Sequence, residues 1–252
     1  MAQAALRRLV PVARTLALGQ QRQRFQSTSV ESSIRRVQQQ PLLLYTASIP
    51  NGRKVSALLE ELKATTGLQY DVHKINISEN TQKEPWFLKL NPNGRIPVLV
   101  DRRRADFVVF ETAAVLLYLE QFYDEGRVFG FDPVEQWDEY SEMIQWIFWA
   151  HGGLGPMSGQ ASHFRNAAPV DIPYAKQRYT DETGRLYGVL ELRLAQRDYL
   201  AGAGKGKYTV ADINAHPWVS GHKWAGFESL DEWPRLKVGG FVFLLFLLGL
   251  GL

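Results

Sequence analysis

An α/β domain followed by an all-helical domain is the fold class that this 252-residue sequence predicts, and three observations predict it. Between Pro41 and Ile77 an apolar run, an amphipathic helix and an alternating strand follow one another. Between Pro97 and Phe110 a proline-led strand and a second apolar run flank a charged turn, as in a hairpin. Beyond about residue 133 the apolar spacing is helical throughout.

The elements follow in order. Pro41 to Tyr45 is a strand-length apolar run. Pro50 suits the first helical position, where its missing N–H would have no intrahelical partner, and Ile49 is then the N-cap. Val55, Leu58, Leu59 and Leu62 fall on one helical face, which leaves Glu60, Glu61 and Lys63 for solvent. Gly67 stands where a left-handed C-cap residue is expected. Tyr70 and Val72 alternate with polar residues in a half-buried strand, and a β-α-β order favours parallel pairing through a right-handed crossover.

Ser78 to Lys83 reads as a polar loop and Pro85 to Leu88 as a short helix. Pro97 cannot donate a ladder bond and belongs at a strand start or edge. Glu111-Thr112 opens a helix with Val115, Leu119 and Phe122 on one face; Thr112 either caps it or, through its amide, holds a carboxylate. Asp124 to Pro133 is a Gly- and Asp-rich linker. After it, Trp137, Tyr140, Ile144, Ile147 and Phe148 form a core-facing helical stripe. Tyr179, Leu186, Leu190 and Leu194 mark a long helix, and Thr209 with Asp212 forms a capping box with Asp in place of the usual Glu. The expected organisation is therefore 1–40 leader and linker, 41–123 α/β domain, 133–238 helical domain, and 239–252 an aberrant apolar tail.

Composition narrows the chemistry. The chain has no cysteine, which excludes disulfides, thiolate metal sites and a cysteine nucleophile, so any thiol must come with a ligand. Residues 1–40 hold seven Arg and one Glu, and the remainder 22 basic against 25 acidic residues. The basic character thus belongs to the leader and gives no support for nucleic-acid binding. Arg-rich and acid-free up to Glu31, with Ser and Thr near its end, the leader reads as a mitochondrial transit peptide, with a cytoplasmic protein carrying a basic tail as the alternative. Phe241 to Leu252 is 12 residues long, too short for a membrane span. The five His lack metal-ligand spacing, and no metal is expected. Gly202 to Lys207 reads as a solvated turn, since no strand precedes it as a phosphate loop would require.

The most informative feature is the start of the first helix. Ile49 has no side-chain oxygen, so the amides of Asn51, Gly52 and Arg53 are expected to point at water or at a bound group, which the helix dipole prefers to be an anion.

The ordered motifs Pro50-Asn-Gly-Arg-Lys54, Asn91-Pro-Asn-Gly-Arg-Ile-Pro97, Glu111-Thr112, Gln145-Trp-Ile-Phe-Trp149 to Met157, Arg178-Tyr179 and Thr209 to Asp212 resemble a glutathione transferase, within that superfamily the nu-class and fungal prion-like members. The resemblance covers about Leu42 to Leu236. It implies a thioredoxin-like N-terminal domain followed by an all-α domain, with reduced or oxidised glutathione as cosubstrate and disulfide-bond oxidoreductase or transferase activity on a small disulfide or electrophile. It also implies a homodimer. By the same resemblance the glutathione sulfur belongs at Asn51, the γ-glutamyl group at Glu111 and Thr112, and the cysteinyl backbone at Ile96 beside a cis Pro97, with Gln82, Arg95 and Arg178 as further contacts. The family usually has Thr where this chain has Ile49; Ser48 substitutes only if the turn rotates it inward. A non-catalytic binding or regulatory module on the same fold is the alternative.

Overall fold

The computed structural model describes residues 39–238, and the chain enters the fold on β1 (Leu42–Thr46). The Arg-rich segment for which a transit peptide is expected, up to residue 38, and the apolar tail from 239 lie outside the described residues. Leu42 and Leu44 alternate into the main core, while Tyr45 packs on the opposite face of the sheet. The sheet has four strands in the order β2-β1-β3-β4, with β2 (Tyr70–Lys74), β3 (Val98–Asp101) and β4 (Phe107–Phe110). β1 and β2 are parallel, and β3 pairs antiparallel with both β1 and β4. The parallel step needs a crossover, which α1 (Pro50–Thr66) supplies. Gly67 ends α1 at φ 75°, its amide donating to the Lys63 carbonyl at 3.0 Å. The half-buried reading of β2 is corrected at Val72, which is 50 % exposed because β2 forms the sheet edge.

On one face of the sheet α1 lies against α3 (Thr112–Tyr123). Across its other flank runs α7 (Val210–Ser220). That second contact overturns the solvent assignment of Glu61, which is only 3 % exposed and accepts a hydrogen bond from the Tyr208 hydroxyl at 3.5 Å. Burial raises the pKa of this carboxyl. On the opposite face, α2 (Pro85–Leu88) brings Phe87 against Ile75, Ile96 and Val98 in a smaller core.

The remaining helices are α4 (Trp137–Trp149), α5 (Gly155–Asn166), α6 (Pro173–Leu194) and α8 (Pro234–Val238). One apolar core runs from Leu42, Leu58 and Leu116 into Met143, Ile147, Tyr187, Leu190 and Val210. The segment read as a linker is folded, the Asp124 carboxylate accepting the amides of Val128 and Phe129 at 2.9 and 2.7 Å. Within α4 the buried residues are Met143 and Ile147; Trp137 and Phe148, expected in the core, are exposed because they flank that stripe. The capping box at Thr209 and Asp212 is formed. Lys207, placed in a solvated turn by its sequence context, instead donates to the carbonyls of Gly130, at 2.7 Å, and Arg127.

Candidate active site

The site begins where β1 passes into α1. Ile49 is extended (φ −122°, ψ 161°) and offers no side-chain cap. The Arg53 amide donates to the Ile49 carbonyl at 3.0 Å, so the expectation of three free amides is corrected to two, Asn51 and Gly52. The geometry requires this: the fourth helical residue is the first whose N–H can reach back to the N-cap carbonyl.

A second helix start lies beside it. The N-cap of α3 is Glu111 rather than Thr112, and its side chain makes no capping bond. Its backbone sits at φ 70°, ψ 119°, a region that costs a non-glycine residue about 1–3 kcal/mol and recurs where a site dictates the conformation. The first intrahelical bond of α3 is Val115 N–H to Glu111 O at 2.9 Å, which leaves the amides of Thr112, Ala113 and Ala114 without such partners. The Thr112 hydroxyl is buried and unpartnered, and so is the Gln82 side-chain carbonyl oxygen. Two uncapped helix starts, each with a partial positive charge, thus share a wall with two polar atoms that lack partners.

That wall encloses a cavity of about 430 Å³ lined by Ile49, Asn51, Gln82, Arg95, Ile96, Pro97, Glu111, Thr112 and His151, among others. The Ile96–Pro97 peptide is cis. Ile96 precedes the β3 ladder, whose pairs with β1 and β4 begin at Val98, and the Asn91 side chain braces the loop by donating to the Arg95 carbonyl at 2.8 Å. A second cavity of about 630 Å³ shares Asn51, Arg95, Glu111 and His151 and extends past Lys54, Gln160 and His163 to Trp218.

Seven of the nine sequence-derived site residues therefore meet at one cleft, and two do not. Ser48 is exposed and lines neither cavity, the turn having placed Ile49 inward instead. Arg178 also lines neither: it lies on the exposed opening turns of α6, with its guanidinium 4.0 Å from Glu182.

Three residues at the cleft escaped the sequence reading. His151 sits in a π-helical turn, Ala150–Leu154, and its Nε2 lies 3.2 Å from Glu111 Oε2. Such turns frequently occur at functional sites, and the pair Gly152-Gly153 after an aromatic helix was its available signal. Lys54 is one helical turn beyond Asn51 and on the same face, a spacing that was legible. It is 1 % exposed, and burial drives its pKa down to about 7 against the opposing pull of the Glu111 charge. Trp218 contributes a buried indole N–H with no partner.

Residues 40–121 match the family model of the glutathione S-transferase N-terminal domain. Over 181 residues the chain is 41 % identical to disulfide-bond oxidoreductase YfcG of Escherichia coli, a match spanning 70 % of this chain and 78 % of that protein. The chain belongs to the glutathione transferase family. A solved glutathione transferase homologue from Lodderomyces elongisporus, with two GSH per subunit, superposes on this family member with a TM-score of 0.71 at 37 % identity, covering 78 % of this chain and 90 % of its own. The nitrogen regulation fragment of the yeast prion protein Ure2p superposes with the same score, 0.71, at 31 % identity, covering 79 % of this chain and 89 % of its own. Among the described residues no cluster of three His, Cys, Asp or Glu could hold a metal ion, and no helix is long and apolar enough to cross a membrane.

Proposed function

We propose that this transferase binds glutathione in the cleft at Asn51 and uses its thiol to reduce small disulfides. The observation that carries this reading is the convergence of two uncapped helix starts and the unpartnered Thr112 and Gln82 oxygens on one cavity. The two anionic ends of the interaction match the two helix starts. The γ-glutamyl carboxylate is assigned to the first turn of α3 at Thr112, where free amides and the hydroxyl accept it as donors do a carboxylate. The γ-glutamyl ammonium is assigned to the Glu111 carboxylate. Ile96 offers its backbone to the cysteinyl unit, and Gln82 and Arg95 contact the remainder. The sulfur is assigned to the Asn51 and Gly52 amides, and Ser48 and Arg178 are given no contact in a single chain.

The energetics suffice. Lowering a thiol by two pKa units from about 8.5 requires about 2.7 kcal/mol. A helix terminus supplies up to about 2 kcal/mol in good geometry, and a hydrogen bond to a charged group about 1.5–3 kcal/mol. Asn51 cannot accept a proton, so it stabilises thiolate and does not act as a base. Since the chain has no cysteine, the exchange runs between bound glutathione and the disulfide, and a second glutathione thiol completes the reduction.

Calorimetry with reduced and oxidised glutathione, followed by turnover of hydroxyethyl disulfide, tests the reading: uptake with turnover supports it. A second reading, a glutathione-binding regulatory module, is favoured by one observation, that Ile49 faces the cleft where a hydroxyl would assist the sulfur. Binding without turnover would select it. Ile49→Thr is expected to raise turnover about tenfold, the worth of one added hydroxyl bond of about 1.4 kcal/mol to thiolate. An unchanged rate in the variant would mean that the missing hydroxyl does not limit the site. Dimer formation and mitochondrial import belong to the same proposal and are read by sedimentation and by the destination of a leader-tagged reporter.

A further inference from the structure

A buried amine stands in the same cavity as Asn51. Lys54 and Asn51 project from the same face of α1 one turn apart and line the same cavity. The Lys54 side chain is buried, yet among the described residues its ammonium forms no ion pair within contact distance and donates no hydrogen bond. Its Nζ lies 5.8 Å from the centre of the Trp218 ring on α7. A lysine kept only for packing would be expected to carry a carboxylate partner, because a lone buried charge is costly.

The other charged and titratable groups around this cavity are accounted for. Arg95, from the loop before β3, is exposed and permanently charged. Glu111, at the start of α3, and His151, on the π-helical turn, face each other at 3.2 Å. His163 of α5 is exposed. On α1 itself Arg53 is exposed. Lys54 is thus the buried basic group of this cavity.

We infer that Lys54 is the proton acceptor for the thiol of glutathione bound at Asn51, and that it returns the proton to the leaving thiolate. The inference rests on the function proposed above and deepens it. The neutral amine takes the proton of the glutathione S–H, giving ammonium and thiolate. The thiolate attacks one sulfur of the disulfide; a new S–S bond forms as the old one breaks, and the departing thiolate takes the proton from the ammonium. The exchange consumes no outside electrons, and a second glutathione repeats it on the mixed disulfide to give oxidised glutathione and the second thiol. Burial suits Lys54 to this task at neutral pH, because its pKa of about 7 leaves a large neutral fraction, and the nascent thiolate then favours the protonated form.

The test starts with the unaltered full-length chain. Thiolate absorbance in the ultraviolet counts thiolate formed when reduced glutathione binds, and calorimetry in buffers of different ionisation enthalpy counts protons released. Just above pH 7, fewer protons than thiolates are expected in solution; one proton released per thiolate overturns the inference. Lys54→Met, with similar length and no charge, is expected to keep glutathione binding and to release one proton per thiolate. Its kcat/KM for hydroxyethyl disulfide should fall about tenfold or more, and it should lose the rising limb near pH 7. Lys54→Arg, which cannot give up its proton, should not rescue it. An unaltered limb and rate in Lys54→Met would overturn the role of Lys54 while leaving the proposed function standing. Failure of the unaltered chain to bind glutathione at all would overturn both. If Lys54→Met does not fold, the proton count on the unaltered chain decides alone.

Discussion

Replacing Asp212 by alanine is expected to destabilise the protein by about 3–4 kcal/mol. Asp212 is fully buried, and both of its oxygens are occupied. Oδ1 accepts the Leu200 amide at 2.9 Å, and Oδ2 accepts the Thr209 amide at 2.9 Å and the Thr209 hydroxyl at 3.1 Å. Alanine leaves both amides, one of them the Thr209 amide of the capping box, buried without acceptors, at about 1–3 kcal/mol each. Part of that loss is returned, because burial already penalises the charged carboxylate and pushes its pKa up to about 6. α7, which Asp212 starts, covers one flank of α1, so the loss should spread to the glutathione site. Urea unfolding at neutral pH checks the magnitude. A change below about 1 kcal/mol would show that the carboxylate's desolvation cost cancels its hydrogen bonds.

The second large effect is expected at Gly52. A Cβ there would stand 2.1 Å from the Ala47 carbonyl oxygen and 2.5 Å from the Thr46 hydroxyl. The obstacle is backbone, so the β1–α1 turn itself must move. Overpacking of this kind costs about 1–3 kcal/mol, occasionally more. The greater consequence is functional, because the shift displaces the Asn51 and Gly52 amides, and a misplacement near 1 Å can cost about 10²-fold in rate. Gly52→Ala is therefore expected to lose about a hundredfold in kcat/KM for disulfide reduction. Gly67→Ala supplies the contrast: a Cβ at Gly67 meets nothing within 4 Å but is strained at φ 75°, so it should cost about 1 kcal/mol of stability and no activity. Equal activity losses in the two variants would mean that stability, and not amide placement, controls the rate.

What the sequence made legible was local. Pro50, Gly67 and the Thr209–Asp212 box each act within one helical turn, and their residue types alone state the geometry. The parallel β1–β2 step and the β3–β4 hairpin were legible from the crossover and the short turn, while the antiparallel pairing of β3 with β1, which completes the strand order, was not. Burial set by distant segments was not legible. Glu61 reads as a solvent-facing helix residue, and nothing local announces the burial of Lys54, until α7, some 150 positions later, is laid against α1. The contact of His151 with Glu111 depends on a π-helical turn that no periodicity announces. The outward Ser48 and the solvent-facing Arg178 show the converse limit: a motif fixes residue identity, while the turn and the helix start decide where the side chain goes. The cis Ile96–Pro97 bond was expected from the family resemblance and not from the local sequence.

The most direct measurement is the pH titration of the thiol of glutathione bound to the full-length protein, followed by thiolate absorbance. Stabilisation by the uncapped start of α1 at Asn51 predicts a midpoint about one to two units below the free thiol's value near 8.5. A bound thiol that titrates where free glutathione does would contradict it.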